Sequence, residues 1–167
     1  MSKFNYTPEQ EAFNKKYGLT DKDYWSCHNN PVVLHSACEK VALKEGIKNL
    51  DFEIIEINSE KRLAVIKCSG SLHDRHECSF GEASPKNTVS AYFVAMAEKR
   101  AKDRVILKLV GMSGLLYSES DVVKKEGKWE FADEVGEFET TTEEQLAKAV
   151  AEVKNLNKKE IKASEKS

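Results

Sequence analysis

The chain has 167 residues, of which 40% are hydrophobic and 32% charged, and its formal net charge at pH 7 is −2. This composition predicts one globular domain with appendages and argues against indiscriminate binding to polyanions, although a local phosphate-binding groove remains compatible with it. Because no apolar run reaches the length of a membrane span and the N-terminal residues show no hydrophobic signal region, we expect a cytoplasmic protein without a membrane partner. The spacing of the four cysteines favours reduced thiols over disulfides.

Residues 1–29 are expected to form an N-terminal arm with one short helix. Thr7 and Gln10 have the spacing of a capping box, and Pro8 falls at the first helical position. This pattern predicts a helix that runs to Tyr17 and ends at Gly18.

Residues 30–122 are expected to form the core domain, with an α+β fold. A second helix is predicted to begin at Asn30-Pro31 and to end at Gly46. Three β-rich runs follow, with a turn predicted at Ser69-Gly70-Ser71, and then a long helix: Phe52 to Ile57, Arg62 to Cys68, Leu72 to Phe80, and Ala91 to Val110. These elements predict an antiparallel three-stranded meander flanked by helices, in the order α-β-β-β-α.

The third β-rich run alternates in a way that predicts one buried and one solvated face. The residues expected on the buried face are Leu72, His76, Cys78 and Phe80. Those expected on the solvated face are His73, Arg75, Glu77 and Ser79.

The long helix is apolar around most of its circumference, Tyr92 included, and we expect it to be buried. Arg100 and Arg104 lie one turn apart on it and cannot lose their charge, so they need carboxylates, backbone carbonyls, a subunit contact or a bound anion such as phosphate. Ion pairing with Glu82 or Glu98 and contact with nucleic acid are both open interpretations. The turn from Ser84 to Thr88, with Lys86, is either an anion site at the helix N-terminus or a simple cap.

Residues 123–167 are expected to form a C-terminal tail. It consists of an acidic segment, a weak helix from Thr142 to Asn155 and a disordered basic tip. The acidic segment is interpreted either as a binding site for a protein partner or as a solvated linker.

One set of motifs resembles a known family. The set comprises a strand ending in Gly81-Glu82-Ala83, a Pro-Lys-Asn turn, the run Met96 to Ala101 followed by Arg104, a helix end at Gly111, and the acidic stretch Tyr117 to Asp121. The order of these motifs resembles that of phage single-strand annealing proteins of the essential-recombination-function (Erf) type superfamily. The resemblance covers Pro31 to Asp121. In that superfamily a three-stranded sheet precedes a long helix that bears arginines and ends in glycine.

The resemblance implies single-stranded DNA binding and annealing of complementary strands in phage-type homologous recombination. It further implies homo-oligomers in the form of a ring or arc, no nucleotide cofactor, and a location in the host cytoplasm. The residues expected to contact phosphate are Arg75, Lys86, Lys99, Arg100, Lys102, Arg104 and Lys108. Each such contact would make binding more sensitive to salt.

Two other interpretations remain open from the sequence. One is a non-enzymatic oligomeric adaptor that binds a protein partner through the acidic C-terminal segment. The other is a zinc-binding, nuclease-like protein built from two overlapping sets, Cys68, His73, His76 and Cys78, and His73, Asp74, His76 and Glu77. Because the chain has no Walker loop, nucleophile elbow or CxxC pair, we expect no catalysis, no cofactor and no bound metal.

Overall fold

The computed structural model describes residues 3–125 and 127–131. Of the expected C-terminal tail, residues 123–125 and 127–131 are described and belong to a β-hairpin that the sequence does not predict. The weak helix, the basic tip and the rest of the acidic segment lie outside the described residues. Within the described part, the chain is a mixed α+β fold with three α-helices and two three-stranded sheets, one of them antiparallel. This confirms the predicted fold class.

The three helices are α1 (Pro8–Tyr17), α2 (His35–Glu45) and α3 (Phe93–Leu109). One sheet has the order β1-β2-β6 and the other β3-β4-β5, while β7 and β8 form a hairpin. The strands are β1 (Tyr24–Cys27), β2 (Asn30–Val33), β3 (Asp51–Asn58), β4 (Leu63–Leu72), β5 (Arg75–Ala83), β6 (Tyr117–Ser118), β7 (Val122–Lys125) and β8 (Lys128–Phe131).

The first helix begins and ends where the sequence predicts. Thr7 Oγ1 accepts a hydrogen bond from the Gln10 amide at 3.3 Å, and Gln10 Oε1 accepts one from the Thr7 amide at 3.0 Å. Gly18 ends the helix in the left-handed conformation, with φ of 68°. The capping box and the terminal glycine are both confirmed.

The second helix begins at His35, so the prediction of a start at Asn30 is wrong. Asn30–Val33 instead forms β2, which pairs antiparallel with β1. His28 and Asn29 connect the two strands, and both have positive φ, at 48° and 65°. A two-residue turn of this kind matches the twist of a hairpin, and it overrides the helix-start signal of the Asn-Pro pair.

The antiparallel meander is confirmed, but its second turn lies at His73 and Asp74 rather than at Ser69-Gly70-Ser71. Gly70 lies inside β4, where a Cβ atom would be 2.6 Å from Leu50 Cδ2 and 3.3 Å from Val105 Cγ1. This glycine therefore permits close packing and does not mark a turn.

The predicted faces of β5 are reversed. Gly81 and Ala83 are buried against α3, and Ser79 and Glu77 share their side of the strand, whereas His76, Cys78 and Phe80 are exposed. The cause is the packing at Gly81, where a Cβ atom would lie 1.9 Å from the Ala97 carbonyl oxygen. Only a residue without a side chain fits between the strand and the helix, and this contact fixes which face turns inward.

Helix α3 packs on β4 and β5, and the main hydrophobic core extends from it toward the other two helices. That core includes Val105 and Leu109 of α3, Val41 of α2, and Phe13 and Tyr17 of α1. Residues of the segment expected as an N-terminal arm thus lie in the same core as the meander's helix.

We expect Gly81→Ala to lower the free energy of unfolding by more than about 2 kcal/mol, because the added methyl group meets helix backbone that cannot rotate away. Urea denaturation followed by circular dichroism measures this change. Cys78→Ala, on the exposed face of the same strand, is the matched control and should stay within about 0.5 kcal/mol of the wild type. Equal stability of the two variants would contradict the close approach.

Candidate functional site

Three basic side chains of α3 bind the outer edge of β5. Arg100 Nη1 donates to the Glu82 carbonyl oxygen at 2.6 Å, Arg104 Nη1 to that of Phe80 at 2.6 Å, and Lys108 Nζ to that of Cys78 at 2.9 Å. Four residues of helix advance about 6 Å and two residues of strand about 6.6 Å, so the two series stay aligned. We call Arg100, Arg104 and Lys108 the basic ladder.

The basic ladder occupies acceptors that a further strand would need. Strand β5 lies at one side of the β3-β4-β5 sheet and pairs with β4. Alternate carbonyls of such an outer strand point away from the neighbouring strand, and unpaired ones are a template for another chain. Since side chains of α3 already donate to three of these carbonyls, the edge of β5 is closed to strand addition.

Arg100 is fully buried, with 0% of its surface exposed, and donates five hydrogen bonds. Besides Glu82, its partners are the Ser120 carbonyl at 2.6 Å, the Thr88 hydroxyl at 3.0 Å, and Asn87, through both its carbonyl and its side chain. Burial lowers the pKa of the guanidinium, while the charges of Asp121 and Glu82 oppose this shift. Arg100 therefore ties three separate segments to α3 and presents no donor to solvent.

Arg104 forms two ion pairs. Its guanidinium lies 2.8 Å from Glu82 Oε2 and 2.8 Å from Asp121 Oδ1. Burial disfavours its charged form, but the hydrogen bonds to Glu82 and the charge of Asp121 outweigh burial and raise the pKa of Arg104. Of the two internal partners considered from the sequence, Glu82 fills the role, whereas Glu98 forms no ion pair with any described residue.

The other predicted phosphate-binding residues lie in separate places. Lys102 forms an ion pair with Glu39 of α2 at 2.5 Å, and Lys99 is exposed on α3. Arg75 follows the β4–β5 turn and pairs with Glu77 at 3.0 Å, near the end of α3. Lys86 is exposed in the loop after β5. The seven predicted residues do not form one surface.

The helix N-terminus differs from the prediction. Helix α3 begins at Phe93, and its N-cap residue Tyr92 makes no side-chain capping bond. The turn from Ser84 to Thr88 is a separate loop, in which Asn87 Oδ1 accepts a hydrogen bond from the Ser84 amide at 2.8 Å. Neither the anion site nor the helix cap expected for this turn therefore lies at the start of α3.

Exposed basic residues and one exposed aromatic residue lie on the β3–β4 turn and on the loop after β5. The pairing of Ala64 with Ala83 places the β3–β4 turn beside the loop that follows β5, and Arg62 Nη2 donates to the Ser90 carbonyl at 2.7 Å across them. Tyr92, predicted to be buried, is 78% exposed. We call Lys61, Arg62, Lys86 and Tyr92 the loop cluster; none of its three cations forms an ion pair with a described residue.

A buried polar network that the sequence does not predict joins α2, α3, β6 and the turn after β6. Asp103 is fully buried; its Oδ1 lies 2.7 Å from His35 Nδ1, and its Oδ2 accepts hydrogen bonds from Ser118 at 2.8 Å and Ser120 at 2.7 Å. Hydrogen bonding to Asp103 raises the pKa of His35 despite the opposing effect of burial. Both serines point to the carboxylate, so the network lacks the serine–histidine contact of a catalytic nucleophile.

The residues considered for a zinc site do not converge. Cys68 is buried on the side of α3, Cys78 is exposed, and His76 Nδ1 lies 2.8 Å from Ser71 Oγ. Across residues 3–125 and 127–131, no group of three or more His, Cys, Asp or Glu residues is placed to hold a metal ion.

Comparisons of the chain with protein-family models, with curated proteins and with solved structures found no match. Among the helices of the described residues, none combines the length and the apolar character needed to cross a membrane. We therefore infer function from the geometry of the chain itself.

We expect Arg100→Lys to lower the free energy of unfolding by at least about 3 kcal/mol, because an ammonium cannot reproduce the forked donor geometry and several buried acceptors lose their partners. Thermal and chemical denaturation measure the loss. Lys99→Ala, the exposed neighbouring position, is the control and should be close to neutral. A stable Arg100→Lys variant would show that the buried bonds contribute little.

The pair formed by His35 and Asp103 predicts a pH dependence of stability. Because the pKa of His35 is raised in the folded state, its contribution is fully present below the ordinary value of 6.5 and is lost as the pH rises through the folded pKa. Denaturation of the wild type from pH 6 upward should show this loss, which His35→Gln should remove. His76→Gln, at an exposed histidine, is the matched control.

Proposed function

We propose that this protein binds single-stranded DNA and promotes the pairing of complementary strands, with no covalent chemistry. The observation that carries the proposal is the loop cluster, where Tyr92 is 78% exposed on the loop that Arg62 contacts, and the three cations have no ion-pair partners among the described residues. Proteins that bind single strands without sequence preference combine basic side chains for phosphates with aromatic rings on which bases stack. The loop cluster supplies both.

The order of elements also supports the proposal. A three-stranded antiparallel meander precedes a helix that carries arginines and is followed by Gly111, and an acidic turn comes next. This agrees with the arrangement implied by the resemblance to Erf-type annealing proteins. As in that superfamily, we propose that the active form is a homo-oligomer in the form of a ring or arc.

The proposal changes which basic residues contact phosphate. Arg100 and Arg104 are held by internal partners, and Lys108 donates to a backbone carbonyl, so these three support the sheet. Phosphate contacts then fall to Lys61 and Lys86 of the loop cluster, while Arg62 donates to the Ser90 carbonyl and holds the β3–β4 turn against the loop after β5. Lys99 is a further residue that we expect to contact phosphate, because it is exposed and lies about two helical turns from Tyr92.

Fluorescence anisotropy of a labelled oligothymidylate across a salt series tests the proposal, with duplex DNA as comparator. We expect binding to prefer the single strand and to weaken with salt, the logarithmic slope changing by about 0.7 for each phosphate contact removed. Lys61→Ala and Lys86→Ala should each reduce that slope. Tyr92→Leu should weaken binding by about 1–3 kcal/mol, while Tyr92→Phe should retain most of it, because only the leucine removes the stacking face.

Lys15→Ala is the matched control, since Lys15 is an exposed lysine of α1 far along the chain from the loop cluster. Its binding and melting temperature should equal those of the wild type. Annealing of complementary oligonucleotides, followed by fluorescence quenching, should be impaired by Tyr92→Leu and unaffected by Lys15→Ala. Absence of single-strand binding at low salt by the folded wild type would refute the proposed function.

A further inference from the structure

The two edges of the β3-β4-β5 sheet differ in whether side chains donate hydrogen bonds to their backbone carbonyls. The basic ladder occupies three carbonyl oxygens along the outer edge of β5. At the opposite edge, residues Asp51 to Ile57 of β3 are all exposed, and no side chain of the described residues donates to a β3 carbonyl. The sheet therefore has one edge closed to strand addition and one edge open to it.

The open edge carries an apolar row. Phe52, Ile54 and Ile57 pair with Cys68, Ile66 and Ala64 of β4, which are buried under α3. A β-bulge between Ile54 and Glu56 shifts the alternation by one residue, so all six side chains share one face of the sheet. Helix α3 packs on β4 and β5, and the row on β3 is left exposed, with 66% of Ile54 accessible. A further strand beside β3 would bring its own side chains against this row.

The other face of β3 is acidic. Asp51, Glu53 and Glu56 pair with Ser69, Lys67 and Val65 and lie on the side away from α3. The strand contains no basic residue, and Glu53 has one partner, Lys67, at 3.3 Å. A second copy paired along β3 would double the number of carboxylates without adding a cation, and like charges on facing strands are destabilising. A basic strand would neutralise them.

We propose that β3 is a docking edge for an extended peptide segment of another protein, in which apolar residues alternate with lysine or arginine. The segment adds as a further strand beside β3, its backbone pairing with the free edge. Its apolar side chains cover Phe52, Ile54 and Ile57, and its basic side chains face Asp51, Glu53 and Glu56. None of these residues belongs to the loop cluster, so the proposal does not depend on DNA binding.

A labelled short peptide of alternating lysine and valine is the probe, tested by fluorescence anisotropy with the full chain. Two control peptides separate the contributions: alternating glutamate and valine reverses the charge, and alternating lysine and proline keeps the charge but cannot form a strand. We expect saturable binding of the lysine–valine peptide alone. Amide hydrogen exchange should show new protection in β3 when that peptide is bound.

The double variant Glu53→Lys/Glu56→Lys should lower affinity for the lysine–valine peptide by at least about tenfold and should create affinity for the glutamate–valine peptide. Glu11→Lys/Glu98→Lys changes the net charge equally at exposed positions elsewhere and should retain wild-type binding. Melting temperatures of both double variants establish that each is folded.

Three results would overturn the proposal. One is equal binding of the lysine–valine and lysine–proline peptides, which would indicate charge attraction without strand addition. Another is binding by the wild type without protection of β3. The third is a dimer of the wild type, measured by light scattering, that Ile54→Asp dissociates, which would make a second copy the occupant of this edge.

Discussion

The fold depends on the match between one face of α3 and the outer edge of β5. Arg100 brings a permanent charge into a fully buried position, which is costly unless every donor finds an acceptor. Its five hydrogen bonds meet that requirement with backbone and hydroxyl oxygens from β5, the following loop and the turn at Ser120. The helix, the loop and the acidic turn are therefore held as one unit, because each supplies acceptors for the same side chain.

This packing explains why the edge of the sheet at β5 is closed to strand addition and the edge at β3 is open. Long basic side chains can reach the β5 edge because Gly81 lets α3 approach that strand at backbone contact distance. A helix drawn toward β5 cannot also cover β3, and the apolar row that includes Ile54 remains exposed. Closing one edge with side chains and leaving the other open are thus two consequences of the same packing.

Local signals in the sequence predicted local structure well. The capping box at Thr7 and Gln10 predicts α1, and three β-rich runs separated by turn residues predict the meander. Apolar periodicity also predicts a buried helix on which Arg100 and Arg104 need carboxylates, backbone carbonyls, a subunit contact or a bound anion. The partners themselves could not be identified for Arg100, because a backbone carbonyl such as that of Ser120 is present at every residue and leaves no pattern in the sequence.

The errors came from glycines and from turns. The pattern Ser69-Gly70-Ser71 predicts a turn, but Gly70 occupies a strand where packing excludes a side chain. The buried face predicted for the next strand is likewise reversed. The sequence also predicts that Tyr92 is buried, because it adjoins an apolar helix. An apolar residue at the last position before a helix carries no signal that distinguishes exposure from burial.

The residues that carry the resemblance to annealing proteins are largely those that build the basic ladder and its partners. Glu82 accepts from both arginines, Asp121 pairs with Arg104, and Ser120 accepts from Arg100. The residues of such a motif are needed for folding, because changing one member leaves another buried and unpaired. The contacts with DNA that we propose use exposed side chains that do not belong to this buried network: Lys86 and Lys99, which lie within the motif, and Lys61 and Tyr92, which lie outside it.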